Sequence, residues 1–229
     1  MWNFAYGSNM HPERRLSRAG LRPLEVVPAI LRGWRLCFNI PGVPLLEPSM
    51  ASITEAPGRC VHGVLLRLRA EEFHRLERSE GGSDFYGRVE VEVETYDERR
   101  ITARAFKAAP ALETRETPPS RRYLDLLQTG ARESGLDPQY CEQLDALPHA
   151  PDSEFVRVCG AAFVDAYMWV SQGPARALGN RYVRALQDSE QTLPAGLRRV
   201  GQVGMLAPVV AIGMLLRARA RVVGDESSD

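Results

Sequence analysis

The sequence predicts an α+β chain: a small mixed or antiparallel, barrel-like sheet flanked by helices, with a helical C-terminal appendage. Three observations predict it. Tyr86 to Tyr96 reads Y-G-R-V-E-V-E-V-E-T-Y, with Val89, Val91 and Val93 alternating against Glu90, Glu92 and Glu94. That strict period of two marks a half-exposed antiparallel strand. Strand patterns fill the first half of the chain and helical patterns follow, the order of an α+β domain. After about Ser153 the strand patterns stop, and an uncharged run appears at Val200 to Leu216.

Taken in order, Trp2 to Tyr6 is an aromatic run without helical period and reads as a buried strand stopped by Gly7. Pro12 to Arg18 starts a short polar helix. Ala29 to Asn39 alternates Trp34, Leu36 and Phe38 and reads as a strand. Ile40 to Pro57 carries four prolines, Pro41, Pro44, Pro48 and Pro57, and reads mostly as loop. Gly63 to Arg69 is a further strand. Ala70 to Ser79 is a short helix with Phe73 and Leu76 on one face. Asp97 to Arg100 turns the alternating strand back into Ile101 to Lys107. Pro118 and Pro119 open a helix over Ser120 to Ser134, ended by Gly135. A second helix runs from Pro138 to Leu147. Pro148 to Ser153 reads as a boundary, dividing residues 1–150 from a helical extension over 151–229.

Composition narrows the function. Lys+Arg and Asp+Glu balance at 29 each, with no basic block, which argues against a nucleic-acid partner. Cys37, Cys60, Cys141 and Cys159 show no C-x-x-C spacing, and His11, His62, His74 and His149 are scattered. A structural metal site would show paired ligands at short spacing. The reading is therefore no metal, no cofactor and buried reduced thiols, in keeping with a cytoplasmic chain. The N-terminus lacks the charged region and apolar run of a secretory signal.

Two segments carry chemistry. Tyr6-Gly7-Ser8-Asn9 sits where a buried strand stops. Its backbone N–H groups can form an anion nest or oxyanion site; a plain strand-to-helix turn with Ser8 or Asn9 as N-cap is the other reading. Ser79-Glu80-Gly81-Gly82 follows an amphipathic helix. Glu80 is either a buried general acid/base or a solvated acid beside a glycine stop.

Together these segments resemble the gamma-glutamylcyclotransferase superfamily. F-A-Y-G-S-N-M is similar to its loop after the first strand. H-G-V-L-L-R-L (His62 to Leu68), L-E-R-S-E-G (Leu76 to Gly81), Tyr86 with its alternating strand, and Pro118 to Tyr140 continue the likeness in order. The resemblance covers about residues 1 to 148; the helical extension lies outside it. It implies a cofactor-free cyclotransferase for a small gamma-glutamyl conjugate, an amino acid, an amine or a protected biosynthetic intermediate. The substrate's α-amine attacks its own side-chain carbonyl and closes 5-oxoproline. In that reading Glu80, rather than Glu77, is the proton carrier, Gly7, Ser8 and Asn9 hold the carboxylate or oxyanion, and Tyr6 and Tyr86 line the pocket. Phe106 stands where some members place a substrate-contacting tyrosine. The alternatives are a non-catalytic ligand-binding or membrane-tethered module on the same fold, or an amide hydrolase that uses water.

The run Val200 to Leu216 is bracketed by Arg198, Arg199, Arg217, Arg219 and Arg221. At about 1.5 Å per residue it spans roughly 25 Å, short of a bilayer core of about 30 Å. It reads either as a membrane contact or as a buried helix or dimer interface. Phe155 to Val170, interrupted by Arg157 and Asp165, reads as a helix docked on protein.

Overall fold

The computed structural model describes residues 1–79, 86–110, 114–171 and 176–226. Five strands close a barrel in the order β1-β3-β2-β4-β5. They are β1 (Trp2–Ala5), β2 (Glu25–Val43), β3 (Glu47–Arg67), β4 (Tyr86–Thr95) and β5 (Arg100–Ala108). Among the described residues seven α-helices accompany them: α1 (Pro12–Ala19), α2 (Ala70–Ser79), α3 (Arg121–Glu133), α4 (Pro138–Asp145), α5 (Glu154–Ser171), α6 (Arg176–Thr192) and α7 (Ala195–Glu226). The barrel-like α+β class expected from the sequence is the observed one.

The chain separates into two compact units. One comprises Met1–Pro41 and Ser49–Ala150; the other comprises Gly42–Pro48 and Pro151–Asp229.

In the barrel unit, β4 and β5 form the hairpin that the alternation announced, with Val89 opposite Ala105 and Val91 opposite Ala103. Val91 and Val93 are buried while Glu90 and Glu92 are exposed. Strand β1 lies antiparallel to β3, with Ala5 opposite Val64, and parallel to β5, with Phe4 opposite Ala105. Phe4, Leu65, Leu66, Phe73, Leu76 and Leu124 are almost wholly buried and form the core with their neighbours. Two helix ends follow their sequence signals. The Ser120 hydroxyl accepts from the Tyr123 amide at 3.0 Å and caps α3. Gly135, just past its end, sits at φ +68°, where glycine alone is unstrained.

The stretch Ile40 to Pro57 departs from the loop reading. It is the last four residues of β2, a tight turn and the first half of β3. Proline lacks a ladder donor and is tolerated only at edges and bulges. Pro41, Pro48 and Pro57 hid two long strands because their neighbours still pair. Gly42 shows how tightly: a Cβ there would lie 1.8 Å from the Glu47 carbonyl oxygen.

The thiol reading holds for Cys37, Cys141 and Cys159, which are buried; Cys60 is exposed. It sits on the Glu55–Cys60 stretch of β3, where the strand is mostly exposed.

In the helical unit, α5 meets α7 at close range. A Cβ on Gly213 would lie 1.8 Å from the Ala162 carbonyl oxygen, so only glycine permits this approach. Asp165 of α5 pairs with Arg217 of α7 at 3.4 Å. On the hairpin turn, Leu46 lies against Gly160 of α5.

Candidate active site

Strand β1 delivers Tyr6 to the end of the barrel. Its ring is buried and its hydroxyl donates a short hydrogen bond to the Phe106 carbonyl on β5. The chain then leaves the sheet in a single 3₁₀ turn, Ser8–Met10, closed by the Met10 amide on the Gly7 carbonyl at 3.0 Å. Neither Ser8 nor Asn9 caps α1: the cap position is His11, and no side chain accepts there. Gly7 has φ −117°, open to any residue. A Cβ there would make ordinary van der Waals contact with the Tyr123 hydroxyl at 3.4 Å and Ala51 at 3.6 Å.

A small pocket opens at this turn, with about 360 Å³ of free space counting its solvent-open mouth. It is lined by Tyr6, Gly7, Ser8 and Asn9, by Asn3, Phe4 and Ala5 of β1, and by Ala51, Tyr86, Phe106 and Tyr123. Five of the six residues singled out from the sequence, Tyr6, Gly7, Ser8, Asn9 and Tyr86, therefore meet here. Glu80, the sixth, lies outside the described residues. It follows Ser79, the last residue of α2, and the undescribed stretch ends at Tyr86, a lining residue. Glu77, its neighbour in sequence, does not line the pocket. Its carboxylate takes Arg88 at 2.9 Å and His74 at 3.2 Å.

Sequence reasoning missed Tyr123. Its hydroxyl accepts from the Ala51 amide at 3.2 Å, which ties α3 to β3 at the pocket rim. The contact joins residues 72 apart, and no local pattern announces it. The described lining is aromatic and polar, without a charged side chain. Among the described residues no group of three or more His, Cys, Asp or Glu is placed to hold a metal ion.

A closed barrel whose first strand ends in a glycine turn beside an aromatic pocket offers a concave site of small-molecule size. The AIG2-like family model matches residues 60–144. A gamma-glutamyl cyclotransferase of Aspergillus fumigatus, gliK, is 29% identical, with 86% of this chain and 79% of that protein covered. The human gamma-glutamylcyclotransferase is 32% identical over 148 residues, covering 63% of this chain and 77% of that one. A solved structure of a gamma-glutamyl cyclotransferase superposes with TM-score 0.57 at 28% identity, covering 68% of this chain and 94% of that one. The chain belongs to the gamma-glutamylcyclotransferase family and is an enzyme of that type. The match to the fungal protein covers more than residues 1–150 can supply, so the similarity reaches into the helical unit. The extension is thus not foreign to the family, as the sequence reading had it.

Proposed function

We propose that this protein converts a small gamma-glutamyl conjugate to 5-oxoproline and a free amino acid or amine, with Glu80 as proton carrier. The observation that carries the reading is the convergence of Tyr6, Gly7, Ser8, Asn9 and Tyr86 on one pocket at the end of β1. Family membership supports it.

The substrate carries its own nucleophile. Glu80 takes a proton from the α-ammonium. The freed amine attacks the side-chain carbonyl, and a five-membered ring closes as the new C–N bond forms. The tetrahedral oxyanion is held by backbone N–H groups of the Gly7–Asn9 turn, whose worth lies in being fixed before charge develops. Glu80 returns that first proton to the leaving nitrogen as the old C–N bond breaks, and the carboxylate so regenerated takes the second proton from the nitrogen that attacked and passes it to the freed amine. One carboxylate thus serves both transfers, a contribution of roughly 100- to 10,000-fold. Holding the chain folded for cyclisation is a proximity effect. Tyr6 and Tyr86 form the wall that does this, and the Tyr6 hydroxyl, anchored on Phe106, keeps its ring in place. The reaction takes place in the cytoplasm, where the four free thiols stay reduced.

The test compares Glu80→Gln with Glu77→Gln against a panel of gamma-glutamyl conjugates, reading 5-oxoproline. The first should lose at least about 100-fold in turnover at unchanged thermal midpoint; the second should stay close to wild type. Interchanged results would move the base to Glu77. Release of glutamate in place of 5-oxoproline would make the protein a hydrolase.

A further inference from the structure

Helix α7 leaves an apolar face uncovered. Its run Val200 to Leu216 holds 17 residues without a charge, and by length and composition Ala195–Arg219 is apolar enough to cross a membrane. Its buried positions, Gln202, Leu206, Val210 and Gly213, follow at spacings of four, four and three and make one stripe. The polar member of that stripe points inward: the Gln202 amide donates to the Ser189 hydroxyl of α6 at 3.1 Å, and both residues are only 2% exposed. The opposite arc is apolar and bare, with Val200 72%, Val203 54%, Ile212 44% and Leu215 71% exposed. A surface helix in water carries charged and polar residues on its outer face. Inward polar contacts and a small-residue crossing, here Gly213 on Ala162, are how helices associate when their outer face meets lipid. Phe155 and Trp169 of α5 are exposed as well, at 74% and 64%.

Two observations place α7 in a membrane surface rather than across it. The uncharged run spans roughly 25 Å, short of the hydrocarbon thickness of about 30 Å. And α6 lies along its first half, through Ser189 on Gln202 and the Tyr182 hydroxyl on the Met205 carbonyl. That helix exposes Arg181 and Asp188. A spanning α7 would carry them into hydrocarbon, where charged groups are costly. Exposed arginines stand at both ends of the run, Arg199 before it, Arg217 and Arg219 after it, matched in charge to anionic headgroups. We propose that α7 docks in the plane of an anionic phospholipid surface, with the arc of Val200, Ile212 and Leu215 in the acyl boundary and the arginines at the headgroups.

The experiment floats the full-length protein with vesicles of phosphatidylcholine alone and with about 30% phosphatidylserine added. The protein should rise with the anionic vesicles, come off in alkaline carbonate, and bind less at high salt. The double variant Val200→Asp, Leu215→Asp changes two exposed side chains, so helicity and 5-oxoproline release should be retained. Its vesicle-bound fraction should fall at least about tenfold. A protein that resists carbonate has a spanning helix, and the in-plane reading is wrong. A protein that ignores both vesicle types but sediments as a dimer, made monomeric by the double variant, has a second copy on this face, and the lipid reading fails. Equal binding to both vesicle types removes the role given to the arginines. A variant that loses helicity is replaced by Leu215→Asn alone, which must still weaken binding to the anionic vesicles; undiminished binding by it overturns the assignment of the face.

Discussion

The barrel unit and the helical unit both bury apolar side chains but differ in what they leave outside. In the barrel, valines on alternate positions of β4 go inside and glutamates go out. Its buried acid, Glu72, is surrounded by partners. In the helical unit, α7 turns a glutamine inward and leaves valine, isoleucine and leucine outside. Of the two, the barrel unit carries the pocket and is built as a water-soluble domain is built. The other exposes on α7 the apolar face from which lipid docking is proposed. The lesson is that burial has to be read with the identity of what is buried. A helix can be well packed on one stripe and still show that its remaining surface is made for something other than water.

The largest effect that separates the units comes from two glycines. A Cβ on Gly63 would lie 2.5 Å from the Ala5 carbonyl oxygen and 2.8 Å from the Phe4 ring. On Gly213 it would lie 1.8 Å from the Ala162 oxygen. Gly63→Val should therefore disrupt the β1–β3 contact and abolish 5-oxoproline release along with the thermal transition. Gly213→Val should force α5 and α7 apart, at a cost above about 3 kcal/mol to the helical unit, beyond ordinary overpacking because backbone cannot yield. Turnover should remain within about twofold, since no pocket residue belongs to that unit. Loss of turnover in both variants would show that the units do not fold independently.

Next in size is a matched truncation. Leu66 is fully buried in the barrel and Leu215 is 71% exposed on α7. Leu66→Ala should cost about 2–5 kcal/mol. Leu215→Ala should lie within about 0.5 kcal/mol of wild type in detergent-free buffer. Urea titration followed by circular dichroism measures both. A large cost for Leu215→Ala would mean that its face is covered within the protein or by a second copy, and the contrast between the units would dissolve.

How much of this was legible beforehand depends on the range of the forces involved. The β4–β5 hairpin was visible because alternation is a local signature of one wet face. So was α3, from Ser120 at its start and Gly135 at its end. The β2–β3 hairpin was hidden by Pro41, Pro48 and Pro57, because a proline weakens a strand pattern locally while the partner strand restores it from a distance. Tyr6 to Asn9 were legible as a turn. Tyr123 was not, because its place in the pocket depends on Ala51 in another element. The polarity of α7 was half legible. Gln202 is a polar break in an apolar run whose place is explained only by Ser189 opposite it, and the charges of α6 could not be placed beside α7 from sequence alone.

The smallest effect concerns acid. Glu72 begins α2 and is buried at 4% exposure. Burial alone would raise its pKa. The backbone amides of Arg22 and Arg69, donating at 2.8 and 3.1 Å, outweigh this with help from the Arg69 and Arg75 guanidinium groups, and hold the carboxyl below its ordinary value of 4.5. A depressed folded pKa means that the unfolded chain takes up the proton first. The stabilisation is therefore fully present above about 4.5 and lost as pH falls through the folded value. In the helical unit the Asp165–Arg217 pair is exposed on both sides, and such pairs contribute little. Acid should loosen the barrel before the helices. Trp2 and Trp34 report on the former and Trp169 on the latter, so fluorescence of the Trp169→Phe protein follows the barrel by itself. At pH 6.5, Glu72→Gln should lower the barrel's stability by about 1.5–3 kcal/mol, the range for hydrogen bonds to a charged group. Between pH 5 and pH 3 the gap to the parent should close, because protonation does to the parent what the substitution has already done. A gap that persists unchanged at pH 3 would mean that shape, not charge, is what Glu72 contributes, and acid would then distinguish the two units for some other reason.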